Sequence, residues 1–402
     1  MRDGGREPPG GDIALVLAGG GARGAYEAGA LAELLPALEA RGERPTILVG
    51  TGVGALNVAW LGANAQLDAG ELTRGAVELW STLRWEDVLA PLPSLGDAAR
   101  LGRYLAAFAG IRGARVDRLL DPTPLPATVR RLVRLDRLDR NVGNGVLRAA
   151  AVVATSAATA RSVVFHAGGE PPAADDRRGI DYVPARLRRA HVLAAAAIPG
   201  LFPAVRVEQP RSAKGWYVDG GTRLNTPVKP ALALGCKRVV VIAPDRAGAA
   251  AAGPPPPRRP DVFEGAGLLL QAVLADPLAH DLQTLAHVNG LVGAGTAARG
   301  HQRIPYVLVA PEARDTLGRI AHEVFAARHG GHRPLLPHDV DALGAAVGGG
   351  ADAAHGELLS YLFFDPDFAA ALIAQGRRDA RAWLDAPHDD GPWQHGRRAP
   401  TG

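Results

Sequence analysis

Three short segments carry residue types and spacings that can do chemistry. The first is Gly19-Gly20-Gly21-Ala22-Arg23-Gly24, placed between an apolar run and a stretch with helical periodicity. Backbone N–H groups at such a helix start, stripped of side chains, form a socket for negative charge, either a phosphate or an oxyanion. The second is Gly50-Thr51-Gly52-Val53-Gly54, which has the G-x-S-x-G frame of a nucleophile elbow with glycine at the apex. The elbow forces its apical residue to positive φ, which glycine adopts freely, so the frame predicts an intact turn without a hydroxyl. Thr51 neighbours the apex, but the turn fixes the apex alone and aims Thr51 elsewhere. The third is Trp216-Tyr217-Val218-Asp219-Gly220-Gly221, a strand that ends in a carboxylate and a glycine turn. Asp219 there can take a proton from a nucleophile, or it can merely cap the turn.

These segments require strand-turn-helix units to position them. Ile13 to Ala18 followed by Tyr26 to Leu38 reads as strand and helix, and Thr46 to Val49 with a helix from about Ala55 repeats the scheme. Two such units in succession imply a parallel sheet with helices on its faces. Further strands are expected at Ala149–Ala154, Ser162–His166, Gly215–Val218, Arg238–Ala243 and Tyr306–Ala310, and helices at 262–293, 315–329 and 367–384. Thr46 to Leu67 lacks formal charge for its whole length, but its glycines and its two asparagines mark it as buried strand, turn and helix start rather than a membrane span.

The chain has 402 residues, enough for a large core, with 45 Lys+Arg against 41 Asp+Glu. That balance is too even to suggest nucleic acid as a partner. A single cysteine, Cys236, excludes an intrachain disulfide and a cysteine-based zinc site. Residues 1–12 are polar and lack an apolar signal region, so a cytoplasmic location is expected. Residues 247–260, with four consecutive prolines, read as a surface linker, residues 71–140 as a helical insertion, and 385–402 as a disordered tail.

The dinucleotide pattern G-x-G-x-x-G is met by Gly19, Gly21 and Gly24, but that reading requires an acidic residue where the second strand ends, and none stands there. A nucleotide site is therefore the weaker alternative, and no cofactor is expected. His329, His332 and His338 with Asp339 and Asp341 form a loop cluster more typical of solvated residues than of a metal site, and His280 and His287 share a helix face without implying ligation. His166 is a conceivable third member beside Asp219. Arg130, Arg131, Arg134, Arg137 and Arg140 alternate with Asp136, Asp139 and Leu132, Leu135 and Leu138. This is either a salt-bridged solvated face, or a lipid-facing one with arginines on phosphate and leucines near the acyl region.

Taken in order, the three segments resemble the patatin-like phospholipase family, over roughly Ile13 to Leu384. Gly19 to Gly24 resembles its glycine-rich oxyanion loop with Arg23, and Gly50 to Gly54 running into Ala55-Leu56-Asn57 resembles its serine elbow and following helix. Asp219-Gly220-Gly221 with Asn225-Thr226-Pro227 resembles its Asp-Gly-Gly segment, and Ala197 to Pro203, containing Pro199, the block before it. The resemblance implies one three-layer α/β domain over 13–384 with a central, mostly parallel sheet and helices on both faces. It also implies hydrolysis of acyl esters of phospholipids or related lipids by a Ser–Asp dyad, with peripheral membrane contact and without metal. Gly52 occupies the serine's position, so either a lipid acyl hydrolase lacking its nucleophile or a non-catalytic lipid-binding protein is expected.

Overall fold

In the computed structural model, the chain is described over residues 12–90, 120–245, 289, 303–313, 315–329 and 353–396. Among these residues nine strands form one sheet: β1 (Ile13–Leu17), β2 (Pro45–Thr51), β3 (Ala149–Ser156), β4 (Ser162–Gly168), β5 (Ile180–Pro184), β6 (Val205–Val207), β7 (Gly215–Asp219), β8 (Arg238–Ile242) and β9 (Tyr306–Val309). The order is β5-β4-β3-β2-β1-β8-β9, with the β6–β7 hairpin joined to β3. The five consecutive strands β3, β2, β1, β8 and β9 run parallel. β4 pairs antiparallel to β3 along its length, and β7 pairs antiparallel to the end of β3 that β2 leaves free. Every residue of β1, and of β3 up to Thr155, is buried whichever way it points, so both sheet faces are covered. Such strands read as continuous apolar runs, which is why the sequence reveals them. β5 and β6 escape that reading because one carries Asp181 and Tyr182 on a half-exposed edge and the other spans three residues.

The helices of the described segments are α1 (Gly24–Glu39), α2 (Val53–Ala63), α3 (Ala69–Thr82), α4 (Trp85–Val88), α5 (Leu125–Leu132), α6 (Leu135–Gly143), α7 (Arg189–Ala195), α8 (Gly221–Leu224), α9 (Val228–Ala233), α10 (Thr316–His329), α11 (Ala353–Leu362) and α12 (Pro366–Asp385). α1 packs against α3 and α12, while α2, α6 and α7 pack together beside β2 and β3. The uncharged stretch from Thr46 divides into β2 and α2, and among the described residues no helix is long and apolar enough to cross a membrane. Within the expected insertion at 71–140, the described residues include α3 to α6 and non-helical segments between them. The linker expected at 247–260, the helices expected at 262–293 except Asn289, and the residues His280, His287, His332, His338, Asp339 and Asp341 lie outside the described residues. So does the His329 side chain.

Two expectations need correction. The leucines between the arginines of α5 and α6 do not face outward: Leu138 is fully buried over Gly62, and Leu132 and Leu135 are half-buried against the core. Nor is the chain past α12 loose as far as residue 396. Trp393 is buried, its indole N–H donates to Glu43 Oε2 at 3.0 Å, and Gln394 pairs with Tyr306 at the end of the sheet. The polar composition of this segment conceals one large apolar anchor. Removing it by Trp393→Ala is expected to cost about 3–5 kcal/mol in urea or thermal unfolding, the usual penalty for deleting a buried tryptophan. Unchanged stability would mean the segment contributes nothing to the fold.

Candidate functional site

The apex of the turn between β2 and α2 is Gly52, at φ 54° and ψ −130°. Its N–H donates to Ala195 O at 3.0 Å, and its own carbonyl accepts from Ala55 N–H. The flanking glycines are required by contact: a Cβ on Gly50 would stand 2.3 Å from Gly54 O, and one on Gly54 2.3 Å from Leu17 O. A Cβ on Gly52 would point between two partners, 2.8 Å from Gly19 Cα and 3.5 Å from Asp219 Oδ2. Elbow, glycine loop and β7 carboxylate therefore converge on one point. Thr51 turns away, its hydroxyl directed at Val153 O at 3.4 Å, and no carboxylate stands at the end of β2 to hold a ribose.

Asp219 is delivered by β7, where it pairs with Ala154 of β3. Its Oδ1 accepts from Gly221 N–H at 2.6 Å, while no hydrogen bond reaches Oδ2 from the described residues. Burial pushes its pKa up to about 7, with the Gly221 N–H pulling the other way. Gly220 leaves no space for a side chain, since a Cβ there would meet Val153 O at 2.3 Å. His166 does not join Asp219: it pairs with Ala151 on the opposite edge of β3, and its Nδ1 lies 2.9 Å from Gly168 O.

The glycine loop divides its N–H groups between structure and site. Gly19 N–H is held by the Asn225 carbonyl and side-chain oxygens, Arg23 N–H donates to Gly20 O, and Gly24 N–H to the carbonyls of Ala22 and Gly21. The N–H groups of Gly20, Gly21 and Ala22 find no acceptor among the described residues. Arg23, expected at the oxyanion position, instead points its guanidinium into the interior. It is fully buried, bonded to Asp245 at 2.7 Å, to Glu357 and to Ser360, and stacked 4.0 Å over the Tyr361 ring. Burial opposes its charge, but Glu357, Tyr361 and Asp245 outweigh that and raise its pKa. Burial pushes the Tyr361 hydroxyl well up as well.

Asn57, one turn into α2, is a bracket rather than a wall of the site: its Nδ2 donates to Glu27 at 2.7 Å and its Oδ1 accepts from Trp80 at 2.9 Å, joining α1, α2 and α3. Pro199 lies exposed on a turn, with Ile198 and Phe202 around it facing inward. Those two, with Gly21, Val53, Leu56 and Trp80, line an apolar cleft beside Asp219 of about 670 Å³ of atom-free space, mouth included. Asp245, Glu357, Ser360 and Tyr361 are the partners of Arg23 that the sequence leaves unassigned; a buried arginine demands such partners, but nothing in the chain says which ones. Among the described residues no group of three His, Cys, Asp or Glu could hold a metal ion.

A family model described as "Patatin-like phospholipase" matches residues 15–232. Among curated proteins no sequence matches this chain. Similar solved structures include VipD from Legionella pneumophila, at 12% identity and TM-score 0.30, covering 91% of this chain and 67% of that one. Human GIVD cytosolic phospholipase A2, in complex with a fluorophosphonate inhibitor, is 13% identical at TM-score 0.33 over 92% of this chain. The chain spans 59% of that enzyme's length. Full-length ExoU of Pseudomonas aeruginosa, solved with SpcU, is 16% identical at TM-score 0.26, covering 95% of this chain and 76% of that one.

Two outcomes follow from this geometry. Arg23→Met strands Asp245 and Glu357 without their cation and is expected to destabilise the fold by about 3–5 kcal/mol in denaturant unfolding. An ionised buried Asp219 costs stability: with a folded-state pKa of about 7 against an ordinary 3.8, the native state binds the extra proton between those values. Stability therefore falls as pH rises from 4 to 7, by an upper bound of about 4 kcal/mol. Asp219→Asn should raise the melting temperature at pH 8 and leave it nearly unchanged at pH 4; equal effects at both would show that the carboxyl is not desolvated.

Proposed function

The chain belongs to the patatin-like phospholipase family, and from that premise we propose that it binds acyl esters of lipids in a site built for Ser–Asp hydrolysis, with turnover suppressed by glycine at the nucleophile's place. One observation carries the reading: the Cβ direction of Gly52 leads to within 3.5 Å of Asp219 Oδ2, so a hydroxyl borne there would reach hydrogen-bond distance. A serine so placed would attack the ester carbonyl while Asp219 received its proton, and the N–H groups of Gly20 and Gly21 would hold the tetrahedral oxyanion. The apolar cleft walled by Leu56, Trp80 and Phe202 suits an acyl chain. Without the hydroxyl, the socket, the proton acceptor and the acyl cleft remain, and they support binding of an ester more than its cleavage.

Gly52→Ser is the test. The new side chain must accept positive φ and displace the Gly19 backbone slightly, at a cost of about 1–3 kcal/mol. Hydrolysis of p-nitrophenyl butyrate is expected to rise by about 10³-fold or more over the parent, with covalent labelling by a fluorophosphonate, and Asp219→Asn in that background should return both to the parent level. A folded Gly52→Ser protein that neither labels nor hydrolyses would show that the scaffold has lost more than one residue, leaving lipid binding as its function.

A further inference from the structure

Helices α5 and α7 wall two cavities in succession. The cleft beside Asp219 takes Leu125 and Thr128 from α5 and Val192 and Leu193 from α7. Toward the C-terminal end of α5 and the N-terminal end of α7, the same pair opens into a second groove, about 930 Å³ of atom-free space with its mouth. Val129 lines both. The groove has an apolar floor of Val133, Leu135 and Leu187, and it is rimmed by Arg130, Arg134, Arg186, Arg188 and Arg189. Asp136 answers Arg134 at 3.3 Å and Asp139 answers Arg186. Arg130, Arg188 and Arg189 have no carboxylate partner among the described residues.

Unmatched guanidinium groups above an apolar floor suit a phosphate carried on a hydrocarbon, because the planar fork of arginine matches phosphate oxygens and the floor tolerates the carbon skeleton. A quaternary ammonium head group would meet the same excess of positive charge as repulsion. Leu138 is buried and Leu132 and Leu135 are half-buried against the core, so this face attaches by charge rather than by insertion into the acyl layer. Resting on the acyl-lipid reading of the cleft, we infer that the groove is the head-group site for an anionic phospholipid, whose phosphate lies among Arg130, Arg188 and Arg189 and whose acyl chain passes Val129 into the cleft.

The test is co-sedimentation of the parent chain with vesicles of phosphatidylcholine alone or of phosphatidylcholine containing phosphatidate. Binding is expected to the phosphatidate vesicles and to weaken with added salt. Replacing Arg130, Arg188 and Arg189 together by Gln should lower that partitioning by roughly a hundredfold, on the basis of about fivefold per arginine at an anionic surface. Asp139→Asn, which frees Arg186, should strengthen it. Equal sedimentation with both vesicles, or a preference that survives the triple substitution, would overturn the assignment. Calorimetric titration with glycerol 3-phosphate forms the second arm: saturation without any vesicle preference would assign the groove to a soluble phosphate ester and overturn the lipid source. Fluorophosphonate labelling of the Gly52→Ser chain reads the acyl site separately, so its failure would sink the hydrolase reading and leave the vesicle result intact.

Discussion

Arg23 carries a full positive charge at a point with no solvent contact, and the shape of the site depends on how that charge is satisfied. Its partners come from far along the chain, Asp245 just after β8 and Glu357, Ser360 and Tyr361 on α11. Removing a guanidinium from water costs several kcal/mol, which only paired carboxylates and full hydrogen bonding offset. Once they do, the loop after β1 has one orientation: Arg23 is turned inward, and the chain just before it presents the N–H groups of Gly20, Gly21 and Ala22 without internal acceptors. The residue that sequence comparison would place at the reaction centre thus works from behind it, by fixing the backbone that faces the cleft.

The second constraint is the crowding of backbone at the elbow. Gly19, Gly50, Gly52 and Gly54 crowd where β1, β2 and the start of α2 meet, at distances that leave no space for most side chains. Such packing suits glycine at the apex, since glycine at φ 54° is less strained than a residue with a side chain would be. Chemistry and fold are separable here. Asp219 illustrates the other side of that separation: the burial that raises its proton affinity is unfavourable for stability at alkaline pH, yet it places a carboxyl that titrates near neutrality beside an apolar cleft.

Helices α5 and α7 apportion hydrophobic and charged surface. Their inward residues close the cleft and their outer ends gather arginines, so apolar and anionic parts of one amphipathic molecule would meet different segments of the same two helices.

Much of this was legible in the chain itself. Apolar runs such as Ile13–Leu17 and Arg238–Ile242 announce buried parallel strands because both faces must be covered, and the glycine spacing of 50, 52 and 54 matches the frame of an elbow, whose tight turn crowds the flanking glycines against backbone. The convergence of Gly19, Gly52 and Asp219 was implied by the resemblance to the family, not by any one segment taken alone. Local composition misled where a single residue outweighed its neighbours: Trp393 docks a segment that is otherwise polar, and Leu138 buries a stripe that alternates with charge. The destination of the Arg23 guanidinium, the capture of Gly19 N–H by Asn225 and the sharing of Val129 as a wall by two cavities were decided only by the tertiary structure. Each joins residues distant in sequence, and a lone side chain states its need for a partner without naming the partner that folding brings to it.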